Sequence, residues 1–314
     1  MLPQVKQSAT VKIHEVKLRR KMKAESAVKT IIRNCLRQVQ ENKLAMQLRD
    51  NPEHIRQMHI SLRRLLSALE LFNEIAPLST TLQTDLDNLS LKLGLARDWR
   101  VLSDSSLIEI EAIAPAELKI STLGKTALNI TNKEEKNAYD AVSKNGFSQM
   151  MSALSNWLEQ EKSAEPDNSH KNKKWSKKIP HLAKKILMRQ QRHLLKIGNH
   201  LLKQDKDANP SENHKFRIAV KRSRYSCIFF RDLFPKKDMD RYLASLSALQ
   251  DNLGVSNDAA VAEILLLDLI QDKPDHLASC NFSRGYVLSQ SIPQQHKLRP
   301  LWKLYKHMNL PDLK

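Results

Sequence analysis

The stretch NPSENHKFRIAVKRSRYSCIFFRDLFP, residues 209–235, reads as one helix with a cationic side and an apolar side. Asn is a good N-cap and Pro is tolerated at the first helical position, so Asn209-Pro210 marks a start. His214, Arg217, Lys221 and Arg224 follow at i, i+3, i+7 and i+10, which lines them up over about three turns of roughly 5.4 Å. Phe216, Val220, Ile228 and Phe229 take the other side. Pro235 stops the helix.

The same helix occurs earlier, as NPEHIRQMHISLRRLLSALELFNEIAP at residues 51–77. Asn51-Pro52, Ile60, Arg64, Phe72 and Pro77 recur as Asn209-Pro210, Ile218, Arg222, Phe230 and Pro235. Leu62 meets Val220 and Glu74 meets Asp232. After a shift of two residues, Leu93-Gly94, Asp98 and Val101 meet Leu253-Gly254, Asp258 and Val261. Chance does not supply so many matches in order. The chain is a duplication.

Composition agrees with helices. Six glycines in 314 residues compare with about 7% in average usage. Hairpins and glycine-loop nucleotide folds need more φ > 0 positions than that. The fold class is all-α. The repeat implies two homologous antiparallel bundles, at 24–162 and 179–310, related by a pseudo-two-fold axis; if their central helices pack near that axis, the cationic ladders would face a shared groove. A basic arm at 1–23, flexible or a frayed helix, precedes the bundles, and a polar linker at 163–178 joins them. Within the first bundle the apolar spacing predicts helices from Asn51, over 81–94, after Asp98 and over 137–162. Residues 115–136 read as a connection with short helical pieces. In the second bundle it predicts 179–204, 210–234, 238–253, 257–272 and one or two more.

Lys and Arg number 52 against 34 Asp and Glu, a net +18. Such an excess repels itself in a compact fold and points to a polyanionic partner. The charge is concentrated. Residues 171–231 hold 18 Lys/Arg and three acids. Lys185, Arg189, Arg192 and Lys196, with Lys203 and His200 near the same line, form a second ladder on the helix before residue 209. In the first copy the counterpart is Arg56, His59, Arg63 and Arg64, backed by Lys29, Arg33 and Arg37 at i, i+4 and i+8. Like charges stacked on one face cost helix stability unless something neutralises them. Arg can take two phosphate oxygens at once, Lys adds point charges, and His adds a titratable one.

Other chemistry finds no constellation. Three separated cysteines (Cys35, Cys227, Cys280) give no disulfide framework and no zinc spacing, and read as buried inert thiols in a reducing compartment. The eleven histidines show no metal-ligand spacing. Asp98 and Asp258 read as helix caps or ion-pair partners. No nucleophile–base pair or carboxylate pair is present, so the reading is a non-enzymatic binding protein without a cofactor or metal. No apolar stretch reaches the roughly 18 residues of a membrane span, and no signal peptide is visible.

The motif H-x-x-R-[IV]-x-x-K-R-x-R-Y stands here as His214, Arg217, Ile218, Lys221, Arg222, Arg224 and Tyr225. It is followed by Leu246, Leu249, Gln250, Asp251, Leu253, Gly254, Asn257 and Asp258. This pattern resembles the CHAD family, the conserved histidine α-helical domains, and the resemblance runs from about Ala24 to Met308. In the first copy Arg56 and His59 are exchanged relative to the family pattern, and Leu66 stands for the last Arg. In the second copy Ser223 stands for an apolar residue. The resemblance implies two four-helix bundles with a basic central cavity that binds inorganic polyphosphate. It also implies a cytoplasmic protein that can associate with polyphosphate granules. No E-x-E-x-K signature of the hydrolase domain fused to some members is found, so a stand-alone module is expected. The ligand set read from the ladders is Lys29, Arg33, Arg37, Arg56, His59, Arg63, Arg64, Lys185, Arg189, Arg192, Lys196, His214, Arg217, Lys221, Arg222 and Arg224. The competing reading is a nucleic-acid-binding or nucleoid-associated protein. It needs the same charge but would favour side chains that reach base edges.

Overall fold

The computed structural model describes residues 15–48, 51–74, 76–159, 177–203 and 210–313, and among them it is all-helical with no strand. Its helices are α1 (Ala24–Leu48), α2 (Glu53–Phe72), α3 (Thr80–Val101), α4 (Leu107–Glu111), α5 (Ile120–Ser143), α6 (Asn145–Glu159), α7 (Ile179–Lys203), α8 (Pro210–Phe230), α9 (Lys236–Asp272) and α10 (Leu277–Lys306). A π turn at Leu102–Ser106 joins α3 to α4. Most of the arm (1–14) and most of the linker (163–176) lie outside the described residues.

The start of α2 follows the sequence closely. Asn51 Oδ1 accepts a hydrogen bond from the Glu53 amide at 2.9 Å, and Asn51 O accepts one from His54 N at 3.1 Å. Two of the otherwise orphaned first-turn donors are thereby satisfied.

Four expectations are corrected. Residues 120–136 belong to one 24-residue helix, α5. Its buried stripe of Ile120, Leu123, Ala127, Thr131, Ala138 and Val142 is one residue wide and partly Ala and Thr, so its periodicity is faint. The helix expected over 137–162 breaks between Ser143 and Asn145. The segments at 238–253 and 257–272 are one 37-residue helix. Gly254 does not break it, since no glycine in the described residues has positive φ. Leu246, Leu249, Leu253, Ala262 and Leu266 are buried along its length. That burial outweighs the roughly 1 kcal/mol propensity cost of one glycine. Finally, α3 runs through Asp98, so neither Asp98 nor Asp258 stands at a helix start.

Two compact units emerge. The first contains Glu25–Arg97 with 131–159. In it α1 is flanked by α2 and α6. Arg64 of α2 donates to Gln38 Oε1 of α1 at 2.6 Å. Lys43 of α1 donates to Ser148 Oγ of α6 at 3.0 Å. Ile31, Ile32, Val39, Leu62, Leu65, Phe72 and Leu154 are buried.

The second unit contains Lys17–Ala24, Asp98–Ile130 and 177–313. Here α7 packs on α8, α8 on α9 and α9 on α10. The ring closes where Trp302 of α10 meets Gly198 of α7. The excursion 98–130 adds Trp99, Leu102, Leu107, Ile110 and Leu123 to an apolar cluster with Leu265, Leu266, Leu269 and Val287. The described part of the arm is neither helical nor loose. Leu18 N donates to Asp232 Oδ2 at 3.3 Å, and Lys23 forms an antiparallel bridge with Lys178.

Candidate functional site

The sequence of α7, IPHLAKKILMRQQRHLLKIGNHLLK, contains six cations and no carboxylate. At about 100° per residue, Lys185, Arg189, Arg192, Lys196 and Lys203 fall within a narrow sector. All five are exposed. Ala183, Ile186, Leu187, Leu194, Gly198 and Leu201 fall on the opposite side, and all are buried. The buried side fixes the helix and thereby aims the ladder outward. Gln191 on that side donates to Met308 O at 3.1 Å. From Lys185 to Lys203 the ladder covers about 27 Å at 1.5 Å per residue. Lys203 is its last rung, visible by spacing but left out of the expected ligand set.

Helix α8 supplies the second set. His214 is exposed, while Arg217, Lys221, Arg222 and Arg224 are half-buried. Arg224 Nε donates to Ser247 Oγ of α9 at 3.1 Å, which ties its guanidinium to the neighbouring helix. Glu212, the one acid in α8, lies 3.3 Å from His200 of α7. The structure thus places the α7 and α8 sets on two helices that pack together.

The candidates of the first unit are differently placed. Lys29 pairs with Glu25 (3.1 Å), Arg33 with Glu159 (2.6 Å), Arg37 with Glu41 (3.8 Å) and Arg56 with Glu53 (2.7 Å). The Arg33 hydrogen bond holds the Glu159 carboxyl below its ordinary range, and the Arg56 hydrogen bond does the same for Glu53. Arg56 is correspondingly raised, chiefly by that hydrogen bond. Arg63 is exposed. His59 is half-buried against α3, where a methyl group at Gly94 would lie 3.4 Å from its Cε1.

Arg64 is a correction. It is 1% exposed and donates from Nη1 to Gln38 Oε1 at 2.6 Å, so a ligand at the surface has no access to it. The signal was present in the spacing, because Ser61, Arg64, Ala68 and Leu71 form one buried stripe.

Among the described residues no three His, Cys, Asp or Glu side chains gather as a metal site, and no helix is long and apolar enough to cross a membrane. What the arrangement offers chemically is a line of donors and positive charge. Such a line suits a linear anion.

A family model described as the CHAD domain matches residues 30–267. Among solved structures, the chain is similar to the CHAD domain from the plant Ricinus communis. Identity is 29%, TM-score 0.85, and the match covers 98% of this chain and 100% of that one. It also shares its fold with PptA from Streptomyces chartreusis, at 12% identity and TM-score 0.64, covering 90% of this chain and 100% of that one. No curated protein matches the chain.

Proposed function

The chain belongs to the CHAD-domain family, and from that premise we propose that it binds inorganic polyphosphate and does not turn it over. The observation that carries this reading is α7, an exposed cation ladder on a helix without a single acid. A surface helix normally interleaves both signs, because unbroken like charge is destabilising. A strand of phosphates neutralises every rung at once. Cations on α8 add to the same contact, and α8 contributes His214 as a titratable group.

A protonated imidazole at His214 would add one more positive charge against phosphate. Granule association in the cell follows from the same affinity.

The test is a competition between long-chain polyphosphate and duplex DNA, at equal phosphate concentration and physiological salt, with free phosphate assayed alongside. Polyphosphate should win, its affinity should fall steeply with salt, and no phosphate should be released over time. Preferential retention of DNA would make this a nucleic-acid-binding protein instead. Sustained phosphate release would make it an enzyme.

A further inference from the structure

We propose that the Lys23–Lys178 bridge is a second anion-binding station, which continues the α7 track and holds the same polyphosphate strand beyond Lys185. The proposal rests on the polyphosphate reading above. It comes from the backbone geometry around the bridge. Ala24 N donates to Lys177 O at 2.8 Å and Ile179 N donates to Met22 O at 2.9 Å. These two bonds flank residues 23 and 178. The two residues therefore form a non-hydrogen-bonded antiparallel pair, the kind whose Cα atoms approach to about 4.5 Å and whose side chains stand closest.

Two lysines opposite each other in such a pair destabilise it. Both are exposed, as are Arg19, Arg20, Lys21 and Lys177 around them. Neither 17–23 nor 177–203 contains an acid. Carboxylates do reach the two segments, but at other places: Asp232 accepts from Leu18 N, Asp312 lies 3.7 Å from Lys184, and Glu212 lies 3.3 Å from His200. Each lysine also directly precedes a helix, Lys23 before α1 and Lys178 before α7, and that end of a helix disfavours cations. The fold thus pins two distant segments together at a point of concentrated positive charge.

The position of the pair says what would relieve it. Lys178 stands seven residues, two helical turns, before Lys185. The pair therefore precedes the first rung by about 10 Å along the axis. With Lys203 at the far end, the cation track extends over about 38 Å. An unbranched, uniformly charged strand fits a straight track of this kind.

The experiment compares the full chain with K23Q/K178Q and with K178E. The readouts are affinity for long-chain polyphosphate, the slope of log affinity against log salt, and the thermal midpoint without ligand. K23Q/K178Q should bind about fivefold more weakly, the scale expected of two exposed charge contacts. By the counterion argument its salt slope should be smaller by about 1.4. Its thermal midpoint should hold or rise, because a repulsion has been removed. K178E should place opposite charges across the bridge, raise the midpoint and still lose affinity. Affinity and slope equal to those of the unsubstituted protein would overturn the station while leaving the polyphosphate reading intact. A lowered midpoint in both variants would also overturn it, by making the two lysines structural. Failure of the unsubstituted protein to bind polyphosphate would overturn both readings before any variant was compared.

Discussion

Gly198 lies beneath the indole of Trp302, so close that a methyl group on its Cα would stand 2.4 Å from Cη2. The ring cannot retreat easily. It sits edge-on to Phe216 at 5.3 Å, contacts Tyr305 at 5.5 Å and donates from Nε1 to Asn199 Oδ1 at 3.3 Å. Gly198→Ala should therefore destabilise the protein by up to about 2 kcal/mol. Overpacking of roughly 1–3 kcal/mol outweighs the gain of about 1 kcal/mol in helix propensity. Gly254→Ala is the control. A methyl group there meets nothing within 4 Å, so the propensity gain should appear as added stability. Denaturant titration of the two variants should give shifts of opposite sign.

The two sets of cations should contribute unequally to polyphosphate binding. Arg56 and three of its neighbours in the candidate set are already committed to acids, whereas Lys185 and Lys196 are exposed on an acid-free helix. Lys185→Gln with Lys196→Gln should weaken binding more than Arg33→Gln with Arg37→Gln. Arg217→Ala with Lys221→Ala should likewise weaken it more than Arg56→Ala with Arg63→Ala. Titration calorimetry on the four double variants decides the matter. Equal losses would mean that the acids of the first unit give up their partners at no cost.

Stability should depend on pH through Glu53. Its carboxyl is held below the ordinary range by the Arg56 hydrogen bond. The stabilisation is present above the unfolded-state carboxylate pKa and is lost as pH falls through the lower folded-state value. The pair is partly exposed, so the magnitude should be only a few tenths to about 1 kcal/mol. Glu53→Gln should lose less stability than the unsubstituted protein between pH 7 and pH 3, as urea unfolding would show. The same substitution releases Arg56 and should strengthen polyphosphate binding slightly at neutral pH.

None of the three thiols should react at neutral pH in the folded state. Burial pushes Cys35 and Cys227 up to about 12 and Cys280 to about 11, so almost no thiolate is present. All three should label rapidly in denaturant. Labelling of any one of them in the native protein would reveal an opening of the helices around it.

Features carried by local spacing were legible in the sequence. The start of α2 at Asn51-Pro52, the burial of the thiols and the alignment of Lys185, Arg189, Arg192 and Lys196 all depend on residues within a few turns of one another. Features that depend on partners far along the chain were not. Residues 238–253 and 257–272 read as two helices because spacing and propensity are local, while the burial that carries α9 through Gly254 comes from packing against other helices. Arg64 was grouped with Arg63 because both are cations, yet one helical step of 100° separates an exposed side chain from a buried one. The pairing of Lys23 with Lys178 joins segments more than 150 residues apart, and nothing in either segment alone announces it.

If α7 binds polyanions as proposed, a helix with six cations and no acid would also attract the RNA and DNA fragments released at lysis. Such fragments would travel with the protein through purification, inflate absorbance at 260 nm and mask the rungs from any added ligand. A high-salt wash would strip such passengers, because salt cations return to the phosphates in place of the protein's lysines and arginines. Preparations made without one will report an affinity for polyphosphate weaker than the protein's own, and a thermal midpoint that belongs partly to the contaminant.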